Sequence, residues 1–503
     1  MSNFISTRKD NTITTSKEAI INGLANDGGL FVPINIKKYD INDLYNKSIV
    51  NNNISFQTIS KTILSDFFDD LNNDNLTNDI DKAYATFTKQ DVTPTIHIGD
   101  DYLLELYYGR TSAFKDVALS LLPYLLTNSQ NELNINKLIY ILCATSGDTG
   151  KAALEGFKNV KGTYITVFYP NNAVSKIQHL QMITTDGDNT NVVSLNDNFD
   201  VCQTTVKNIM NDRSNILSNR NIIFSSANSI NIGRLAPQII YYFKSYFDLV
   251  NKNEIKINDK INFIVPTGNF GDILAGYFAK LMGLPIDKLI CASNKNNILS
   301  DFLKTGIYDA NRAFYNTYSP SMDILISSNL ERLLFMISNN DKEYISNIMT
   351  SLSTNKKYSI EKTMLNNIND TFLGYYCDDN DILNTINHSY KEYSVLIDPH
   401  TACALYALDK FKTEYKPQTK NVILSTASPY KFSNVVLKAI ANDKLSNDEF
   451  YNMMTLYNIS KVDIPTNLAR LKELPIVNDN NINKENAIDY IKNKINELEK
   501  SNA

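Results

Sequence analysis

Leu138-Ile139-Tyr140-Ile141-Leu142-Cys143 is an unbroken apolar run, and the residues after it are small and polar: Ala144-Thr145-Ser146-Gly147-Asp148-Thr149-Gly150-Lys151. A helical pattern then runs over 151–157. A short strand that is apolar on both faces, then a loop, then a helix is the repeating unit of parallel sheet buried under helices. The unit recurs on either side. Towards the amino terminus, 102–106 reads as a strand that leads through a loop to a helix at Lys115. Towards the carboxyl terminus, strand patterns at 164–169, 192–195, 222–225 and 261–265 precede helical ones at 173–183, 199–210, 235–250 and up to Met282. Residues 289–292 continue the rhythm, and a more helical insertion occupies about 300–390. Strand patterns at 395–397 and 422–424 then precede helices, the first over 401–411. The whole predicts an α/β fold on parallel sheet.

The first 95 residues read as mixed and partly helical. A helix at 17–24 is stopped by Asn26-Asp27-Gly28-Gly29, and helical patterns come next at 54–71 and 80–87. This segment is expected to form a small domain or a cap. No internal repeat is visible.

In parallel α/β folds ligands sit outside the carboxyl ends of the strands, and the polar loops here all come after a strand. Gly109-Arg110-Thr111-Ser112-Ala113-Phe114-Lys115-Asp116 ends in a lysine set between Phe114 and an apolar run. Burial there would lower its pKa and make the amine nucleophilic, as a Schiff-base lysine must be. On this stretch alone, a solvated lysine at a helix start is the simpler reading. Thr267-Gly268-Asn269-Phe270-Gly271-Asp272 opens a helix with glycines and free N–H groups, suited to phosphate. It equally fits a plain turn with Asp272 as N-cap. Residues 145–151 fail the P-loop pattern, with Thr145 and Ala152 at positions it reserves for other residues. What remains suits an anion or a multiply capped helix. Ser226-Ala227-Asn228-Ser229-Ile230-Asn231-Ile232-Gly233-Arg234 sets amides, a hydroxyl and an arginine within two turns, as phosphate recognition or as capping with a surface arginine. Ser425-Thr426-Ala427-Ser428-Pro429 alone reads as a bland turn.

Composition narrows the class. Hydrophobic residues make up 43% and charged residues 20%, with 49 basic against 54 acidic side chains and a net charge of −5. No clustered basic excess points to nucleic acid. The polar start lacks a signal-peptide core, and no apolar run is long enough to span a bilayer. Five scattered cysteines without a C-x-x-C suggest reduced core thiols and a cytoplasmic, reducing setting. Histidine is scarce, with no metal-ligand spacing, so no metal is expected. No G-x-S-x-G elbow is present. His400 reads as a helix-start or core residue.

Taken in order, these segments resemble the threonine synthase family of pyridoxal-phosphate enzymes (β-family, fold type II), in its longer bacterial and fungal form. The likeness runs nearly end to end, through Phe4-Ile5-Ser6-Thr7-Arg8, 26–33, Ala113-Phe114-Lys115-Asp116, 145–150, 226–234, 265–276, 398–402 and 426–432. It implies parallel-sheet large and small domains with helices on both faces, plus an N-terminal extension domain. The extension would be 1–95, the large cofactor-binding domain 96–130 with 235–503, and the smaller mobile substrate domain 131–234. The resemblance implies that Lys115 carries pyridoxal 5'-phosphate as an internal aldimine. Gly268, Asn269, Phe270, Gly271 and Asp272 would cradle the cofactor phosphate, and Thr426 would hydrogen-bond the pyridine nitrogen. Ser146, Gly147, Asp148 and Thr149 would bind the substrate carboxylate. Asn228, Ser229 and Arg234 would hold the substrate phosphate.

The implied reaction is that of a lyase converting O-phospho-L-homoserine and water to L-threonine and phosphate, with Lys115 moving protons at Cα and Cβ. Closure of the smaller domain over the ligand is expected. The chain departs from the family pattern in four places. Arg110 stands where Pro is usual, Ser112 where Leu or Cys is frequent, His179 where Glu is common, and Ser428 where the motif has His. Ser428 bears on tuning near the pyridine nitrogen, and Arg110 is a candidate extra phosphate contact. Two other readings stay open. One is a different fold type II lyase: a dehydratase, or a phospho-lyase giving 2-oxobutyrate. The other is a non-catalytic phospho-ligand binder. A dehydratase has no need of Asn228, Ser229 and Arg234. The expected partner is the small substrate, with no nucleic acid or membrane, in a monomer or homodimer.

Overall fold

The computed structural model describes residues 3–171, 174–218 and 220–501. Two sheets carry the molecule. The chain first lays down an antiparallel hairpin, β1 (Thr95–Ile98) and β2 (Asp101–Glu105). It then leaves to build β3 (Leu138–Ala144), β4 (Thr163–Pro170), β5 (Thr190–Leu195) and β6 (Ile222–Ser226). It returns for β7 (Ile261–Pro266), β8 (Ile286–Ser293), β9 (Phe372–Tyr376) and β10 (Lys420–Ser425), and ends with β11 (Asn480–Ile482). The larger sheet has the order β9-β8-β7-β10-β2-β1 and is parallel except at its hairpin edge. The smaller has the order β6-β3-β4-β5-β11 and is parallel throughout.

Every residue of β3 after Leu138 is buried, as is every residue of β4, β5 and β7. Burying one aliphatic side chain is worth about 1.5–3 kcal/mol. A continuous apolar run therefore drives a strand to a position covered on both faces. The helices between and after the strands include α1 (Asp148–Phe157), α2 (Lys176–Ile183), α3 (Phe199–Asn211), α4 (Gly271–Leu281) and α5 (Pro399–Tyr415).

Several expectations need correction. Residues 395–397 form no strand: they lead into Asp398, whose carboxylate accepts from the N–H groups of His400 and Thr401 and starts α5. The helix expected over 235–250 is broken around Pro237 into Ile232–Leu235, a 3-10 turn Ala236–Gln238 and Ile239–Asn251, because proline lacks the donor a continuous helix needs. The first helix, Ser16–Asn22, stops at Gly23 with φ 65°, ahead of the Gly28-Gly29 pair. The more helical insertion also supplies edge strand β9. The start of the 173–183 helix at Ala173 lies outside the described residues, and α2 runs from Lys176. The larger domain was expected to keep everything after 235. Strand β11 instead pairs with β5 in the smaller sheet, Val193 opposite Asn480.

The amino-terminal segment packs against the main body and touches the loops that matter. Fully buried Arg332 donates from Nε to Phe31 O (2.9 Å), from Nη1 to Ser229 O (3.0 Å) and from Nη2 to Ile230 O (2.6 Å). One side chain thus ties the strand Phe31–Pro33 to the loop after β6.

Candidate active site

The loop after β2 is stitched to the loop after β10. Phe114 N donates to Thr426 O (2.8 Å), Ser428 N donates to Ser112 O (3.0 Å), and Ala113 and Ala427 form an antiparallel bridge. Asp116 closes the loop from within, accepting from Thr111 N (2.9 Å) and Thr111 Oγ1 (2.8 Å). These contacts hold Lys115 where it is 8% exposed, its Nζ 4.3 Å from the Phe114 ring centroid and 3.7 Å from Asp148 Oδ2. Burial pushes the Lys115 pKa down; Asp148 opposes, Arg234 and Lys431 reinforce, and Asp272 opposes. The expectation of a desolvated lysine agrees with this geometry.

The helix after β3 begins at Gly147, whose φ of 131° and contact with Gln178, 2.4 Å from where a Cβ would lie, exclude a side chain. The N–H groups of Gly147 and Gly150 donate to Thr145 Oγ1 at 2.9 and 2.8 Å. The first-turn N–H groups of Asp148 and Thr149 have no acceptor within the helix and are available to an anion. The Asp148 carboxylate is committed elsewhere. It meets Lys431 Nζ at 2.7 Å, Gln178 Nε2 at 2.8 Å and Ser321 Oγ at 3.2 Å. Burial alone would raise its pKa, but Lys431, then Lys115 and His400, hold it well below the usual carboxylate range.

At α4 the backbone takes an unusual path. Phe270 has φ 62°, a left-handed conformation that side chains rarely adopt, and its ring lies 5.6 Å from Phe372. The carbonyls face away: Gly268 O accepts from Ser327 Oγ (2.9 Å), and Asn269 O accepts from Asn329 N and Nδ2 (both 3.0 Å). The N–H groups of Gly268, Asn269, Phe270 and Gly271 donate to no acceptor among the described residues. Such a row of amides at a helix start binds phosphate. Asp272 is not the N-cap: it lies inside α4 and accepts from Ile273 N, with its pKa pushed up to about 6 by burial.

After β6, Asn228 spends its amide on the end of β3, accepting from Ala144 N (2.9 Å) and donating to Ala144 O (2.7 Å). It therefore aligns two loops of the smaller sheet. Ser229 Oγ accepts from Asn329 Nδ2 (2.8 Å), so its proton stays free. Arg234 is 3% exposed, and its Nε and Nη1 have no partner among the described residues. Burial lowers its pKa to about 10, so it stays charged.

All the expected site residues except Gly147 and Phe270 line one cleft between the two sheets. Arg110 does not reach it: it is exposed and borders a different cavity beside Tyr124. Sequence reasoning missed Lys431, a single lysine in an otherwise buried turn whose sole signal was its place between Tyr430 and Phe432. It also gave no part to His400, which is buried at the start of α5 as expected. His400 also lines the cleft, with Nδ1 2.7 Å from Asp398 Oδ1 and Nε2 accepting from Ser321 N (3.1 Å).

The family described as "Pyridoxal-phosphate dependent enzyme" matches residues 97–427, between "Threonine synthase N terminus" at 3–84 and "Threonine synthase, C-terminal" at 401–475. The chain belongs to the threonine synthase family. It is 38% identical to threonine synthase of Saccharomyces cerevisiae over 93% of each chain. It is also 38% identical to human threonine synthase-like 1, over 84% of this chain but 58% of that protein. The crystal structure of pyridoxal-phosphate-bound threonine synthase from Brucella melitensis superposes with TM-score 0.83, 31% identity and 98% and 99% coverage.

The cleft fits the family's cofactor on its own chemistry. A phosphorylated aldehyde needs an amine that can lose its proton, a cradle of unpaired N–H groups and a polar partner for its ring nitrogen. Lys115, the loop 268–271 and Thr426 supply one each. The threonine synthase fold brings them together from β2, β7 and β10 of the larger sheet, while Ser146, Asp148, Thr149, Ser229 and Arg234 arrive from the smaller sheet's side.

Proposed function

We propose that the chain converts O-phospho-L-homoserine and water to L-threonine and phosphate, with pyridoxal 5'-phosphate held on Lys115. The observation that carries this reading is Arg234: a buried guanidinium with two unpaired nitrogens in the Lys115 cleft, separate from the amide cradle at 268–271. A cofactor with one phosphate needs one cradle. A second cationic anion site calls for a phosphorylated substrate.

The roles derive from the donors. The N–H groups of Gly268, Asn269, Phe270 and Gly271 hold the cofactor phosphate, and Thr426 offers a neutral hydroxyl to the ring nitrogen. The N–H groups of Asp148 and Thr149, with Ser146 Oγ, receive the substrate carboxylate. The Asp148 side chain, an anion itself, instead anchors the helix start. Ser229 and Arg234 hold the substrate phosphate, and Arg234 neutralises the charge that grows as it departs. When bound, the cofactor supplies a ring that accepts the electrons left as protons are removed. Lys115 Nζ takes and returns the protons at Cα and Cβ. Closure of the smaller unit, residues 131–234 with β11, would exclude bulk water during these transfers. No helix of the described residues is long and apolar enough to cross a membrane. Five buried, unpaired cysteines support a reducing, cytoplasmic setting.

Incubation with O-phospho-L-homoserine and pyridoxal phosphate, assaying threonine, 2-oxobutyrate and phosphate together, tests the reading. Threonine and phosphate are expected in equal amounts. Phosphate with 2-oxobutyrate and no threonine would move the chain to the phospho-lyase reading, and binding without phosphate release to the non-catalytic one.

A further inference from the structure

Lys431 lies outside the cleft lining yet shares a carboxylate with Lys115. Its side chain is fully buried, and its Nζ is 2.7 Å from Asp148 Oδ1 and donates to Thr111 O at 3.1 Å. Asp148 Oδ2 is 3.7 Å from Lys115 Nζ. Two lysine amines therefore flank one carboxylate, one from the turn after β10 and one from the loop after β2. Gln178 and Ser321 fill the remaining acceptor positions of Asp148. The contact to Thr111 also fixes Lys431 to the loop that carries Lys115.

We propose that Lys431 is a positioning residue that keeps Lys115 available as a free amine, by neutralising the carboxylate that would otherwise hold it as an ammonium. This rests on the reading of Lys115 as the cofactor-bearing residue. A buried carboxylate facing a single amine forms a tight ion pair and stabilises the protonated form. With Lys431 in place, Asp148 is already compensated, and a second cation nearby disfavours another positive charge. The other charged groups facing Lys115 are Arg234, on the helix after β6, and Asp272, on α4, of opposite sign; His400, on α5, faces Asp148. Lys431 is the one that contacts both Asp148 and the Lys115 loop.

The test uses the full chain stripped of cofactor. An amine-directed reagent is applied across a pH series, and labelling of the Lys115 peptide is read by mass spectrometry. In Lys431→Met the midpoint for labelling is expected to rise by roughly one pH unit, about tenfold slower labelling below the midpoint. Lys431→Arg restores the original profile, and Asp148→Asn lowers the midpoint. Equal midpoints in Lys431→Met and the parent chain, or no restoration by Lys431→Arg, would overturn the proposal. Should Lys431→Met not fold, Asp148→Asn decides alone: an unchanged or raised midpoint refutes the coupling. Borohydride reduction of the parent chain with pyridoxal phosphate separates the two readings. If Lys115 is not modified there, the site assignment itself fails; if it is modified but the pH profiles do not move, only the role of Lys431 fails.

Discussion

Arg234 carries a charged group into the interior, and two of its nitrogens have no partner among the described residues. An unsatisfied buried donor costs about 1–3 kcal/mol. Arg234→Met is therefore expected to stabilise the ligand-free protein by about 1–3 kcal/mol, read as a higher urea midpoint, while reducing turnover by at least two orders of magnitude. A urea midpoint that falls would mean the guanidinium has partners of its own. At this scale Lys115 and Arg234 were legible through the family resemblance, since their own stretches equally fit a solvated lysine and a surface arginine. Lys431 was not, since its burial is imposed by Asp148, contributed by a helix from the other sheet. Asn228 and Asp148 both reach the cleft, but their side chains bond other protein groups, Ala144 for one and Lys431 and Gln178 for the other. Nothing in the sequence distinguishes an amide that meets ligand from one that meets Ala144.

Among the elements, the turn at 320–322 is the tightest constraint on the phosphate cradle. A Cβ at Gly268 would lie 2.6 Å from Ser321 O, a backbone atom that cannot swing aside. Ser321 also contacts Asp148 and His400. Gly268→Ala should therefore push this turn away and weaken pyridoxal-phosphate binding by tenfold or more, with the far-ultraviolet dichroism unchanged. Titration of the stripped protein with cofactor measures it, and an unaltered affinity would show that the turn yields freely. The strands were legible where burial on both faces demands unbroken apolar runs, as in β3 and β4. Edge strand β9 is short, mixes buried and exposed residues without a regular period and sits inside a helical stretch, so periodicity passed over it. Residues 395–397 looked like a strand because they are apolar, but their burial comes from packing ahead of α5.

For the whole molecule, several contacts brace the two units against each other. Ile177 N donates to Glu449 Oε2 (3.1 Å), Asp148 meets Lys431, Leu325 N donates to Asp200 Oδ2 (3.1 Å) and Lys207 Nζ to Ser328 Oγ (3.2 Å). The alternation of strand and helix made parallel sheet foreseeable, and the family resemblance implied its division between two domains. That division did not follow chain order, because β11 is a three-residue, Asn-rich strand without an apolar signature. A chain ending before Asn480 should leave β5 as an open edge and self-associate, seen as high-mass species by size-exclusion chromatography. A monodisperse truncated chain with the parent's thermal midpoint would show that β11 is dispensable.

The pairing of β5 with β11 also sets a timetable for synthesis. Ser194 Oγ accepts from the side chain of Asn481, a partner 287 residues further along. At about 5–20 residues per second, the edge of the smaller sheet waits on the ribosome for roughly 15–60 s before its covering strand exists. Arg234, Ser229 and the start of α1 are all translated by then, but the sheet that holds them is finished only once Asn480–Ile482 has been made. Nascent chains are thus exposed to mispairing at this edge until β11 has been made.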